Sequence, residues 1–344
     1  MTIPWTLPEI IAFHRMSKLC ASEFIKAVNG SAGYTDAVQR IGVIEFDALQ
    51  VATELVVGLE RDGFQCTTYW DAAYPERLRI LDQPPPILYH VGPLPHSALP
   101  SVAVVGTRRC TIQYGKPATE MLVREWVNKG IVIVSGLANG IDIIAHETCV
   151  QSGGCTVAVI ASGLKRVTPL AAQKMIERLL KIGGCVVTEY APMLAAIPPN
   201  FPARNRIISG LSDAVVVVES NVKGGALITA DFAIKQGKPL YALPGPILSV
   251  RSAGTNNLIK RGLAELLQGA EDIYASLDLD TEMPPSKVAE DKLINWPQNG
   301  ANFSLDELAE YWVCSVSEAL GKLLQFEFSG AVKQLPGKRF ESVR

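Results

Sequence analysis

The stretch PPNFPARNRIISGLSDAVVVVESNVKGGALITA, residues 198–230, decides how this chain is read. Within it, Ala214 to Val218 is an apolar run with no polar alternation. Such a run spells a strand covered on both faces. Asn221 to Gly225 then makes a glycine-bearing turn, and an apolar helical pattern comes next. Strand, glycine turn and helix in that order are the repeating unit of a parallel sheet. Just ahead of the strand, Arg204 and Arg206 flank Asn205. A guanidinium is costly to bury without a partner. The two arginines are therefore either internal ties, with Asp213 or Glu219 as nearby partners, or one wall of an anion site.

Working outward, the same signal recurs. VAVVG (102–106), IVIVS (131–135), TVAVI (156–160), CVVTE (185–189), AVVVVE (214–219) and PLYAL (239–243) are six short valine-rich runs. Helical patterns occupy 116–129, 141–152, 170–182 and 228–237, and a short helix is expected from Arg204. This alternation predicts an α/β fold, a Rossmann-like doubly wound parallel sheet. Ligands of such sheets bind at the carboxyl ends of the strands, near the switch point. Residues 1–65 carry only helical periodicity, broken at NGSAGY and RIG, and predict a small all-helical, SAM-like domain. A proline-rich connector comes after it, with PILYHVG as a short strand. The sheet domain is expected over 66–278 and a charged linker over 279–298. Residues 299–344 read as helix, turn, helix and a ribbon around Pro336-Gly337, a winged-helix-like pattern.

Composition narrows the function classes. The net charge of −2 gives no general attraction for nucleic acid, so such a role must rest on local charge. Residues 201–262 supply it, with eight Lys and Arg against three acids. Seven scattered cysteines without a C-x-x-C predict neither a zinc site nor a disulfide frame. No signal-peptide pattern and no long apolar span are evident, which leads to the expectation of a cytoplasmic protein without membrane contact.

The first strand lacks the G-x-G-x-x-G that a dinucleotide needs, and there is no Walker A loop. The loops after the strands carry anion-receptor chemistry instead. Gly106-Thr107-Arg108-Arg109 stands after the first, SGLANGID with Gly136 and Gly140 after the second, and Lys223-Gly224-Gly225-Ala226 after the fifth. Glycine admits a ligand close to the backbone, and free N–H groups at a helix start favour phosphate. All three loops should gather at one sheet edge. No cofactor and no metal are expected. Asp142 and His146, four apart on a helix, read as a structural pair near the helix start, and Glu189 as a partner for loop N–H groups or an arginine.

VAVVGTRRCTIQYG, VSGLANGIDIIAH, FPARNRIISGLS, VVVVESNVKGGALITADFAIKQGKPLYALPGP and SAGTNNLIKRGLAELL together resemble, in content and order, the DNA-processing protein A family (DprA, also called Smf). The connector YPERLRILDQPPPILYHVG is similar to that of the family, and the resemblance extends over about 69–275. It implies a protein that binds single-stranded DNA on the Rossmann-like domain, forms a homodimer, and helps load the RecA recombinase during natural transformation, with no catalytic step. By motif it implies that Arg108 holds a phosphate. Lys223, Gly224, Gly225 and Ala226 would clasp the next, with Gly136 and Thr229 in the same site. Asn205 would fix the loop, and Arg204 and Arg206 would line or brace the same cleft as nucleic-acid-binding residues; of the two, Arg204 is expected to face the DNA and Arg206 to brace the loops. Three positions depart from the family pattern: Asn139 for an arginine, Thr168 for a tyrosine, and Gly224 for a serine. The alternative is an enzyme that binds or processes a nucleotide in the same cleft, with Glu189 as its base.

Overall fold

The computed structural model describes residues 3–42, 47–96, 98–279, 302–312, 315–316, 319–320, 323, 332–335 and 339–342. The chain divides into two units, residues 1–279 and 280–344.

In the first unit the valine runs form the middle of a nine-stranded sheet. Its strands are β1 (Gln65–Thr68), β2 (Ile87–Val91), β3 (Ser101–Val105), β4 (Val132–Ser135), β5 (Thr156–Val159), β6 (Cys185–Thr188), β7 (Ala214–Val217), β8 (Leu240–Ala242) and β9 (Glu265–Leu266). Their spatial order is β1-β2-β6-β5-β4-β3-β7-β8-β9. All six expected runs pair in parallel, with Val102 opposite Ala214 and Ser101 opposite Val132. β2 pairs antiparallel with β6, and β1 with β2. The chain moves from β3 through β4 and β5 to β6, then returns to lay β7 on the other side of β3. The switch point is therefore the crevice at the carboxyl ends of β3 and β7.

The absence of alternation in the runs is explained by two covers. Ala103, Val105, Val215 and Val217 pack under α9 (Asn200–Gly210) and α10 (Ala226–Lys235). Val102, Val104, Ala214 and Val216 pack against Leu122, Trp126 and Ile141 of α6 (Gly115–Asn128) and α7 (Ile141–Gln151). Each fully buried valine, leucine or isoleucine among them contributes about 1.5–3 kcal/mol. α8 (Leu170–Lys181) covers β5 and β6 through Met175 and Leu179. α11 (Ala253–Lys260) leads into the edge strand β9.

Before the sheet come α1 (Leu7–Ser17), α2 (Ala21–Asn29), α3 (Tyr34–Ile41) and α4 (Ala48–Arg61). Their core of Phe13, Phe24, Val28 and Ala52 also includes Trp70, Ile87 and Tyr89, so the helices share apolar contact with the β1–β2 end of the sheet. The connector is tied to the same body. Arg77 donates to both carboxylate oxygens of Asp213, at 2.8 and 2.7 Å, and Asp213 also accepts from the Ser101 N–H. Asp213 is thus bound to Arg77, not to Arg206.

The second unit contains a three-stranded antiparallel sheet with strands Asn302–Ser304, Arg339–Ser342 and Val332–Leu335 in that order, and the helix Leu305–Tyr311. Ser304 caps the helix by accepting from Glu307 N–H. Leu308, Leu323, Val332 and Phe340 form its small core. The strand at 302–304 is additional to the expected ribbon. The expected second helix, in large part, and the turn at Pro336-Gly337 lie outside the described residues.

Candidate nucleic-acid interface

The three loops picked out in the sequence meet at the switch point. A cavity of about 750 Å³ is lined by Thr107, Arg108 and Arg109 after β3, Ala138 and Asp142 after β4, and Asn221 with Lys223 to Ala226 after β7. Phe201, Arg204 and Asn205 of α9 and Thr229 of α10 complete it. A smaller cavity of about 280 Å³ adjoins it, lined by Gly136, Asn139, Ser162, Thr168 and Pro169, and shares Arg108, Phe201 and Arg204. A further cavity of about 870 Å³ lies elsewhere, between α4, β1 and the proline-rich connector, and contains none of these residues.

The arginine loop is held by a buried carboxylate. Glu219, at the end of β7, accepts from Thr111 N–H at 2.8 Å and from Thr111 Oγ1 at 2.6 Å. Its own carbonyl accepts from Thr107 N–H. These contacts fold residues 107–111 back over the crevice and leave Arg108 and Arg109 exposed. The lysine loop is shaped by Asn221, whose side chain accepts from Lys223 N–H at 3.0 Å. Asn205 links it to α9 by donating to the Gly225 carbonyl at 3.5 Å. At the start of α10 the Leu227 and Ile228 N–H groups bond the Gly224 and Gly225 carbonyls, and the Gly225 and Ala226 N–H groups stand beside Lys223, an arrangement suited to an anion. Among the described residues, neither Arg108, Arg109 nor Lys223 is paired with a carboxylate.

Two glycines are required by close approach. Gly140 adopts φ +86°, and a Cβ there would collide with the backbone of Thr107 and Arg108. A Cβ on Gly136 would fall 2.7 Å from Asp142 Oδ2 and 2.8 Å from Arg204 Nη2. Gly136 therefore shapes the floor of the site through what it leaves out.

The paired arginines separate into different roles, and one expectation is reversed. Arg204 is only 5% exposed. Its Nη1 donates to the Gly136 carbonyl at 2.6 Å and to the Val159 carbonyl, joining the ends of β4 and β5. It does not face outward to a ligand but forms the floor. The cause is helical spacing: Arg204, Ile207 and Ile208 share the inward face of α9, and Leu211 continues it just past the helix end. Arg206 lies outside the cavity lining. It makes a two-pronged pair with Glu189, both contacts at 2.6 Å, and donates to the Gln83 carbonyl. It braces the loop after β6 and the connector, and its place among the ligand-binding residues is withdrawn.

Burial sets the charges below the floor. It pushes the Asp142 carboxyl up to about 6, against the opposing pull of the Arg204 guanidinium and of the Ala138, Gly136 and Gly106 N–H groups. Burial also pulls Arg204 down to about 10. His146 bonds through Nδ1 with Thr156 Oγ1 at 2.7 Å, and burial lowers its pKa to about 3. It is a neutral core group and does not pair with Asp142.

One residue escaped the sequence reading. Phe201, exposed at the start of α9, lines both cavities, and the Arg108 guanidinium lies 5.6 Å from its ring centre. The signal was present as a phenylalanine among the prolines of PPNFP.

A family model described as DNA recombination-mediator protein A matches residues 65–278. The chain is 34% identical over 277 residues to Protein Smf of Escherichia coli K12, covering 77% of this chain and 74% of that one. It is 39% identical over 219 residues to DNA processing protein DprA of Streptococcus pneumoniae R6, covering 64% and 76%. The solved structure of DprA from S. pneumoniae superposes with a TM-score of 0.66 at 31% identity, covering 81% of this chain and all of that chain. A structure of DNA processing protein A from Helicobacter pylori, described for its single-stranded DNA binding mode, gives 0.55 at 34% identity, covering 63% and 98%. This chain belongs to the DNA recombination-mediator protein A family.

Proposed function

We propose that this chain binds single-stranded DNA in the crevice between β3 and β7 and acts as a recombination mediator in natural transformation, with no chemical step. The observation that carries it is the set of exposed cations, Arg108, Arg109 and Lys223, facing a crevice without carboxylate partners and beside the start of α10. Two or more successive phosphates span such a site, and Phe201 offers a ring on which a base can stack. Nothing in this arrangement reads base edges, which suits incoming DNA of any sequence. Gly136, Arg204, Asn205, Gly224, Gly225, Ala226 and Thr229 shape the walls and floor.

The enzymatic alternative is less well supported. Glu189, which it would use as base, is held by both nitrogens of the Arg206 fork. Glu219 is buried and occupied by Thr111.

Family membership further supports a homodimer and the RecA recombinase as partners, and a cytoplasmic site of action. Among the described residues no helix is long and apolar enough to cross a membrane. The test is an electrophoretic shift with labelled single-stranded and duplex DNA. A clear preference for the single strand is expected. Equal affinity for both would overturn the proposal.

A further inference from the structure

We infer that the loop after β8, with Ile247 and Leu248 at its tip, is an apolar wedge that contacts the unstacked bases of the strand whose phosphates lie in the crevice. The inference rests on the proposed single-strand binding and extends it to a second subsite. Ile247 is 91% exposed, Leu248 93% and Val250 73%. Neighbouring aliphatic side chains so open to water on one loop have no role in the core, and such patches mark contact sites.

The loop is built to hold this position. Ser249 N–H donates to Pro246 O, and Ser252 N–H to Ser249 O, which tightens the tip. At its base, Gly245 exchanges two hydrogen bonds with the Asn256 side chain, at 3.1 and 2.9 Å. Tyr114 Oη donates to the Pro244 carbonyl, tying it to the loop after β3. Gly254 N–H donates to Ser220 O at 2.7 Å, tying it to the end of β7. The tip therefore stands at the same sheet edge as the two cation-bearing loops. Each of those also exposes an aliphatic residue, Ile112 and Val222.

Continuity and charge select the occupant. A strand leaving the crevice past Lys223 or Arg109 carries its bases on toward these loops, and Arg251 adds an exposed cation there. Aliphatic side chains act as wedges between base steps, with affinity from apolar contact and none from base identity.

The test uses the full chain and the variant Ile247→Ser/Leu248→Ser. A strand of about 12 nucleotides carries 2-aminopurine, and a strand of about 4 fills the crevice alone. With the native chain, 2-aminopurine fluorescence should rise on binding. The variant should lose that rise, bind the longer strand about tenfold more weakly, and bind the short strand as before. Native-like fluorescence and affinity in the variant would overturn the wedge and leave the crevice standing. So would unchanged DNA binding with lost self-association, which would assign the loop to a second copy. Failure of the native chain to bind either strand would overturn both.

Discussion

Removing the Arg206 fork tests the division of labour between the two arginines. The pair with Glu189 is largely buried, with side chains 15% and 17% exposed, and both prongs are short. Arg206→Met strands the Glu189 carboxylate and also releases the Gln83 carbonyl. Breaking one partner of such a pair costs about 3–5 kcal/mol. For a unit of this size that lowers Tm by roughly 6–10 °C. Glu189→Gln keeps part of the hydrogen bonding and should cost less, about 2 kcal/mol. The double variant should cost less than the two single costs combined, because no uncompensated charge remains. A coupling of about 2 kcal/mol or more is expected, read by denaturant unfolding of all four proteins. In the same proteins, single-strand affinity measured well below Tm should stay within about twofold. Normal stability with a tenfold loss of DNA affinity in Arg206→Met would refute the brace and return Arg206 to the ligand site.

Other consequences concern the floor and the loops. Arg204→Lys cannot span both the Gly136 and Val159 carbonyls, so it should lose about 2–3 kcal/mol of stability, visible in thermal unfolding, with DNA affinity falling only modestly. Asp142 gains a proton as pH falls through about 6, and bound phosphate favours that neutral form. Affinity should therefore tighten about threefold from pH 7.5 to 5.5, and Asp142→Asn should flatten the profile, as read by fluorescence anisotropy. Glu219→Ala frees the Thr111 N–H and hydroxyl and loosens the Arg108 loop. It should cost about 2–3 kcal/mol in stability and also weaken DNA binding, the two effects appearing together in unfolding and shift assays.

The sheet was legible because its strands are buried on both faces, which leaves a valine run no other reading. The edge strands were not. Gln65 to Thr68 is polar, and Glu265-Leu266 is two residues long, so neither carries a pattern. The three anion loops were legible through glycine and cation placement after strands. The fate of the arginines was legible only in part. Arg204 precedes Ile207 and Ile208 by three and four positions, which marks the inward face once α9 is known to begin at Asn200. Starting the helix at Arg204 hid that. The partner of Arg206 lies 17 positions earlier, on another strand end, and no local pattern links it to Glu189. The shared core of the N-terminal helices with Trp70, Ile87 and Tyr89 is likewise a tertiary fact that helical periodicity does not announce.

Single-strand binding stands or falls on Arg108 and Lys223 holding the phosphates. The decisive experiment is the salt dependence of single-strand affinity for the native chain, Arg108→Ala, Lys223→Ala and the double variant. Each loss should cost about 1–3 kcal/mol at low salt and reduce the slope of log K against log salt by about 0.7. The exposed side chains should leave Tm unchanged. Native affinity and native slope in the folded double variant would remove the crevice as the DNA site.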